Sequence, residues 1–190
     1  SGLKLPLRFV TTMTVEPTAE EHALYEGVLA LLRTYGGTSK VRMLTATLLL
    51  EAGSSPHAVR GTLQRVLATG KHDAALRAAL GELRPQAERV RTSRKGQALL
   101  ELLKVHESEQ VLVFTRFRDT LAYVCELLDG AGVPHVSFHG GLDGDAKQKA
   151  LAAFREGTRV LVATDAGGEG QNLQFCHVLC NFDLPWNPML

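Results

Sequence analysis

The stretch Val160–Gln174, VLVATDAGGEGQNLQ, starts as four apolar residues, turns polar at Thr164 and Asp165, and then sets Gly167, Gly168 and Gly170 around one carboxylate, Glu169. Read as a strand that ends in a glycine-rich loop, it decides the fold class. Three glycines at the carboxyl end of a strand let the chain turn tightly and point successive N–H groups outward, an arrangement that favours an anionic oxygen such as a phosphate. The last Lys or Arg of the chain is Arg159. Everything after it must therefore meet a phosphate with backbone amides, hydroxyls and side-chain amides, which Thr164, Asn172 and Gln174 supply. On the residues alone, the glycines read equally well as closing a tight connection.

From Lys95 onward the same alternation repeats. Helix KGQALLELLKVH is followed by strand QVLVFT, helix RDTLAYVCELLDGAG, strand PHVSFH, helix GDAKQKALAAFREG, strand RVLVAT and, after the glycine loop, strand HVLCNFD. Short Val-rich runs separated by helices of this length predict an α/β fold with a parallel sheet covered on both faces. Ligands of such sheets sit beyond the carboxyl ends of the strands. Three polar strand ends stand out there: FTRF at 114–117, FHGG at 138–141 and ATDAGGEGQN at 163–172.

Before residue 95 the character is helical. LRFVTTMTV at 7–15 alternates weakly and reads as a strand. PTAEEHALYEGVLALLRTYGG opens on a capping box, Thr18 and Glu21, carries Leu24, Val28, Leu31 and Leu32 at helical spacing, and stops at Gly36-Gly37. SKVRMLTATLLLEAG and SPHAVRGTLQRVLATG follow, each bounded by small residues, and KHDAALRAALGELRPQAERV is helical in composition up to Pro85. The basic run Arg84, Arg89, Arg91, Arg94 and Lys95 reads as a solvated connection, with contact to DNA phosphates as its alternative.

Charge and composition exclude several classes. With 21 Lys and Arg against 20 Asp and Glu the net charge is +1, so no global field recruits nucleic acid or anionic lipid and any phosphate contact is local. The 45% apolar content suffices for a real core. Cys125, Cys176 and Cys180 form no metal-ligand pattern and an odd count argues against a disulfide framework, which makes a reducing cytoplasm the simplest compartment. No apolar run reaches membrane-spanning length, and no signal-peptide order is present.

Three segments carry a family resemblance. VLVFTRFRDTLAYVCELL, SFHGGLDGDAKQKALAAF and VLVATDAGGEGQNLQFCHVLCNFDLPWNP resemble successive motifs of the second RecA-like lobe in the Swi/Snf branch of superfamily-two helicases, the DNA-stimulated ATPases that translocate on duplex DNA. TVEPTAEEHALYEGV and SSPHAVRGTLQRVLA resemble the helical linker between the two lobes, as seen in bacterial members. The resemblance implies a RecA-like parallel sheet with flanking helices, preceded by an all-helical linker region. Residues 1–94 would hold the end of lobe one and the linker, and 95–190 most of lobe two, ending before the arginine-bearing motif. Thr115, Arg116, His139, Gly140 and Thr164, with Trp186 and Asn187, would contact duplex DNA. Gly168, Glu169, Gly170 and Asn172 would face the nucleotide. Phe114 reads as core, and His139 and Trp186 have structural readings as a loop histidine and a cover for the sheet edge.

The chain departs from a complete motor. The phosphate-cradling GxxxxGK[ST] and the acidic magnesium motif are both missing, and the nearest imitation, Gly70-Lys71, is followed by His72. No catalytic residue and no metal ligand is therefore assigned within the chain. ATP and Mg are expected only in a complete two-lobe enzyme whose first RecA-like lobe lies elsewhere. A non-catalytic interaction module is the alternative reading.

Overall fold

The computed structural model describes residues 9–164, 173 and 175–183. Four helices come first: α1 (Ala19–Tyr35), α2 (Ser39–Ala52), α3 (Pro56–Thr69) and α4 (Ala74–Arg89). Each starts where a side-chain oxygen replaces a missing intrahelical acceptor, with Thr18, Thr38, Ser55 and Asp73 accepting from the amide three residues on. Such a cap contributes about 1 kcal/mol. At α1 the box is reciprocal, since Glu21 N–H donates to Thr18 Oγ1 at 3.1 Å and Thr18 N–H to Glu21 Oε2 at 2.8 Å. The four helices close over one core of Leu24, Val28, Leu31, Leu48, Val59, Leu63, Leu76, Leu80 and Leu83.

Two expectations for this half are corrected. Residues 9–18 form neither strand nor helix. Alternation sets which side chains face inward, but a strand also needs a neighbouring edge to bond; here Met13 and Val15 only line a shallow cleft beside Leu99, Leu102 and Phe182. Pro85 does not end its helix, for α4 runs one further turn to Arg89. Its ring crowds the carbonyl four residues back, on Gly81, a residue without a side chain. Gly70, of the Gly70-Lys71 pair, is a left-handed cap of α3 with φ of 61°, a helix stop rather than a phosphate loop.

The remainder is α5 (Arg94–Val105), β1 (Val111–Thr115), α6 (Arg118–Gly130), β2 (His135–Phe138), α7 (Gly144–Arg155), β3 (Val160–Thr164) and β4 (Val178–Asn181). The four strands are all parallel in the order β2-β3-β1-β4. Side chains alternate across the sheet. Val111, Val113, Val160 and Val162 meet Leu99 and Leu103 of α5 and Leu121, Val124 and Leu128 of α6 on one face. Leu112, Leu161, Ala163 and Phe138 meet Leu151 and Phe154 of α7 on the other, with half-buried Phe114 packed against them. Both faces are covered, as the apolar runs require.

A buried polar junction joins the helical half to the sheet. Thr120, fully buried in the first turn of α6, sets its Oγ1 2.7 Å from Ser54 Oγ and 2.8 Å from Ser55 Oγ. Ser54 Oγ donates to Asp183 Oδ2 at 2.8 Å, and this fixes the direction of the chain as Ser55 to Thr120 to Ser54 to the carboxylate, one proton per hydroxyl. Asp183 also accepts from Lys95 Nζ at 2.8 Å and from the Arg116 amide at 3.0 Å. Lys95 thus leaves the solvated basic run; its ammonium also donates to Gly53 O and lies 4.6 Å from the Phe182 ring centre.

Replacing Thr120 by Val keeps the shape and deletes the middle hydroxyl, leaving Ser55 without an acceptor and Ser54 without its donor. The expected loss is about 1–3 kcal/mol in urea unfolding, with Thr120→Ser recovering most of it. Equal stability of the Val variant and the native chain would mean that the hydroxyl chain contributes nothing.

Candidate nucleic-acid interface

Because the four described strands are all parallel, their carboxyl ends emerge along one edge of the sheet. Thr115 pairs with Thr164 across β1 and β3, and Phe138 pairs with Ala163, which sets His139 level with Thr164. Thr115, Arg116, His139, Gly140 and Thr164 are thereby brought to one line. The remaining sequence-predicted residues, Gly168, Glu169, Gly170, Asn172, Trp186 and Asn187, lie outside the described residues.

The five differ in what they present. Thr115 and Thr164 are 1% and 6% exposed, and the Thr115 hydroxyl donates to Phe117 O at 3.4 Å, bracing the turn into α6. The Arg116 amide is held by Asp183 while its guanidinium is exposed, 5.7 Å from the Phe117 ring centre. Gly140 is exposed, with open space where a side chain would be. His139 Nδ1 accepts from the Gly141 amide at 3.1 Å, so the ring proton of the neutral form sits on Nε2, a donor with no partner among the described residues. Burial, then the neighbouring Arg118 and Lys147, hold its pKa below the ordinary histidine value. A neutral donor suits contact with a phosphate across a pH range in which a charged imidazole would switch.

Beside this edge lies a cleft of about 470 Å³ where the helical half meets α6, lined among others by Glu51, Arg65, Arg118, Asp119 and His139. None but His139 is singled out by the sequence motifs. Glu51, in the last turn of α2, is 4% exposed, accepts from Thr62 Oγ1 at 2.7 Å on one oxygen and leaves Oε2 without a partner among the described residues. Burial raises its pKa to about 7, against the opposing pull of the Thr62 hydrogen bond and the Arg65 charge; Asp119 adds to the rise. Arg65 in turn reaches Thr62 Oγ1 at 2.9 Å and Asp119 Oδ2 at 3.1 Å. The available sequence signal for Glu51 was a carboxylate in the last turn of a helix, where the macrodipole disfavours negative charge. Among the described residues no group of three or more His, Cys, Asp or Glu side chains converges as a metal site would. No described helix is long and apolar enough to cross a membrane.

Two measurements follow from these environments. Removing the Arg118 charge by Arg118→Ala should raise the His139 pKa toward its ordinary value, read from the imidazole proton shifts in an NMR titration; an unmoved or lowered pKa would contradict the geometry. For Glu51 the folded pKa lies above the unfolded one, so the folded state holds the proton longer. Stability is then full below about pH 4.5 and falls as pH rises toward about 7. Glu51→Gln should flatten that slope and stabilise the chain above about pH 7, by a few kcal/mol at most, in order of magnitude. A Gln variant that keeps the native pH slope would sink the assignment.

Comparison with known proteins places this geometry. Residues 94–190 match the helicase conserved C-terminal domain. A Bacillus subtilis (strain 168) protein named an uncharacterized ATP-dependent helicase, YqhH, is 33% identical over 191 residues, covering 100% of this chain and 34% of that protein. The chain thus spans about a third of that relative's length. The C-terminal domain of the Sulfolobus solfataricus SWI2/SNF2 ATPase superposes with a TM-score of 0.62 at 19% identity, over 91% of this chain and 71% of that one. The C-terminal part of the Fun30 ATPase domain gives 0.58 at 17%, over 90% and 73%. At those identities the likeness is one of fold, and it includes the helical half. The chain belongs to the helicase C-terminal domain family and has the RecA-like fold of the Swi2/Snf2 ATPase C-terminal domains, preceded by its helical region.

Proposed function

We propose that the chain is the second-lobe part of an ATP-dependent translocase on duplex DNA, with the carboxyl edge of the sheet facing the DNA backbone. The observation that carries the reading is the convergence of Arg116, His139, Gly140 and the Thr164 strand end along one parallel edge, in a member of the helicase C-terminal domain family. The edge offers what a sequence-blind phosphate contact needs: a cation at Arg116, a neutral N–H at His139, and at Gly140 a backbone unobstructed by a side chain. Trp186 and Asn187 belong to the same DNA surface in this reading. Gly168, Glu169, Gly170 and Asn172 face the nucleotide, and ATP with Mg is held chiefly by a first lobe that pairs with this one. Hydrolysis of ATP supplies the free energy; the residues of this chain bind and position the tracked backbone. Three free thiols suit the cytoplasm, where the reading places the protein.

The test is phosphate release by the complete protein with and without duplex DNA. Turnover should rise with DNA, and the 190-residue chain alone should release none, since it lacks GxxxxGK[ST]. In the complete protein Arg116→Ala should weaken binding to all sequences alike and lower the salt slope by about 0.9, one phosphate contact. Turnover indifferent to DNA, with binding unchanged in that variant, would favour a non-catalytic interaction module.

A further inference from the structure

Of the three bonds that Asp183 accepts among the described residues, two fall on one oxygen. Its Oδ2 takes the Ser54 hydroxyl at 2.8 Å and the Arg116 amide at 3.0 Å, while Oδ1 takes Lys95 Nζ at 2.8 Å. Ser54 belongs to the helical half, in the turn 53–55 between α2 and α3, and Arg116 belongs to the sheet edge. Every residue of that turn is tied to the sheet half: Gly53 O accepts from Lys95 Nζ at 3.1 Å, and Ser55 Oγ lies 2.8 Å from Thr120 Oγ1. Only the middle one is tied through the atom that also holds Arg116. Asp183 is itself placed by the sheet, where Phe114 pairs with Asn181 and the Phe182 amide donates to Phe114 O at 2.8 Å. Its side chain is 8% exposed, so water does not readily replace a bond withdrawn there.

We propose that Asp183 is a positioning residue through which the helical half sets the backbone at Arg116, so that this end of β1 follows the placement of the 53–55 turn. The physical basis is the geometry of a single acceptor atom. While Ser54 donates, Oδ2 is held between the turn and β1, and the Arg116 N–H has an acceptor in line. That bond fixes the peptide plane, and with it the direction in which the Arg116 side chain leaves the chain. If the turn withdraws, Oδ2 keeps one donor of its two, the carboxylate is free to rotate toward Lys95, and the hold on Arg116 slackens. Lys95 has a second effect: its charge offsets that of Asp183, so a carboxylate can stand beside Arg116 without cancelling it. Ser54 lies outside the residues matched by the helicase family, while Arg116 and Asp183 lie inside them. The edge of the family domain thus takes its setting from the helical region before it. What that setting does for DNA rests on the function proposed above; the coupling itself rests on the shared oxygen.

The experiment compares Ser54→Ala with Thr120→Val, two cuts in the same hydroxyl chain. The first removes a donor to Oδ2; the second leaves that donor in place and serves as the control for general loosening. In the 190-residue chain, amide NMR reads the Arg116 N–H directly. Ser54→Ala should shift this proton and speed its exchange with solvent roughly tenfold, while Thr120→Val leaves it near its native position. Ser54→Thr, which keeps the hydroxyl, should restore the native shift, and Ser54→Cys, a weaker donor of similar size, should fall between and stands in if the Ala variant does not fold. In the complete protein, Ser54→Ala should weaken duplex binding several-fold, leave ATP turnover without DNA unchanged, and cost nothing further in an Arg116→Ala background. A purely structural serine would cost the same in both backgrounds. That additivity, an Arg116 amide unmoved by the Ser54 variants, or one moved as far by Thr120→Val, overturns the proposal. Turnover and binding of the native complete protein that ignore duplex DNA would instead remove the translocase reading, and the Arg116 amide would still decide the coupling.

Discussion

One carboxylate organises the molecule. Asp183 leaves the end of β4 with a side chain 8% exposed and collects Lys95 from α5, Ser54 from the turn after α2 and the Arg116 amide from the end of β1. A carboxylate removed from water is costly unless its lone pairs are filled. Filling them here requires four separate chain segments to arrive together. The Ser54–Thr120–Ser55 hydroxyls extend the same satisfaction into the first turn of α6. The helical bundle is thereby locked to the sheet by directional bonds, where apolar contact alone would let the two slide.

The junction has a consequence at the sheet edge. Holding the Arg116 amide fixes where β1 ends and where α6 begins, so the Arg116 and Arg118 side chains leave the backbone at set positions. Tyr123, one turn further along α6, receives the Ser93 amide at 2.8 Å and stacks 4.9 Å from His57, which itself reaches Glu126 at 3.0 Å. The helix that bounds the cleft is thus anchored along its length to the helical half.

Much of this organisation is legible locally. Thr18 with Glu21, Ser55 before Pro56, and Asp73, Ser93 and Asp143 each announce a helix, because a cap is a bond between residues three apart. The Val-rich runs announce a buried parallel sheet because side chains on both faces must be apolar, and strand limits fall within a residue of their polar ends. The alternation at 7–15 has the same local form yet predicts a strand that the described part of the segment does not make. Periodicity is a property of the segment; a ladder is a property of its neighbour.

The residues that matter most at the junction are the least legible. Lys95 stands in a basic run and Asp183 in a motif, 88 positions apart, and nothing in either neighbourhood names the other. Glu51 sits at the end of an apolar run, and its raised pKa comes chiefly from burial, which only the closed fold provides. The sequence by itself determined the capped helices, the alternation of strands and helices from residue 95, the two-faced sheet and the edge that the strand ends share, since these follow from spacing within a few residues and from the requirement that parallel strands share a direction. Tertiary structure alone decided which charged groups are buried, which of them face one another, and that α6 begins uncapped over a cleft, because desolvation and hydrogen-bond geometry depend on what distant segments bring within about 3 Å.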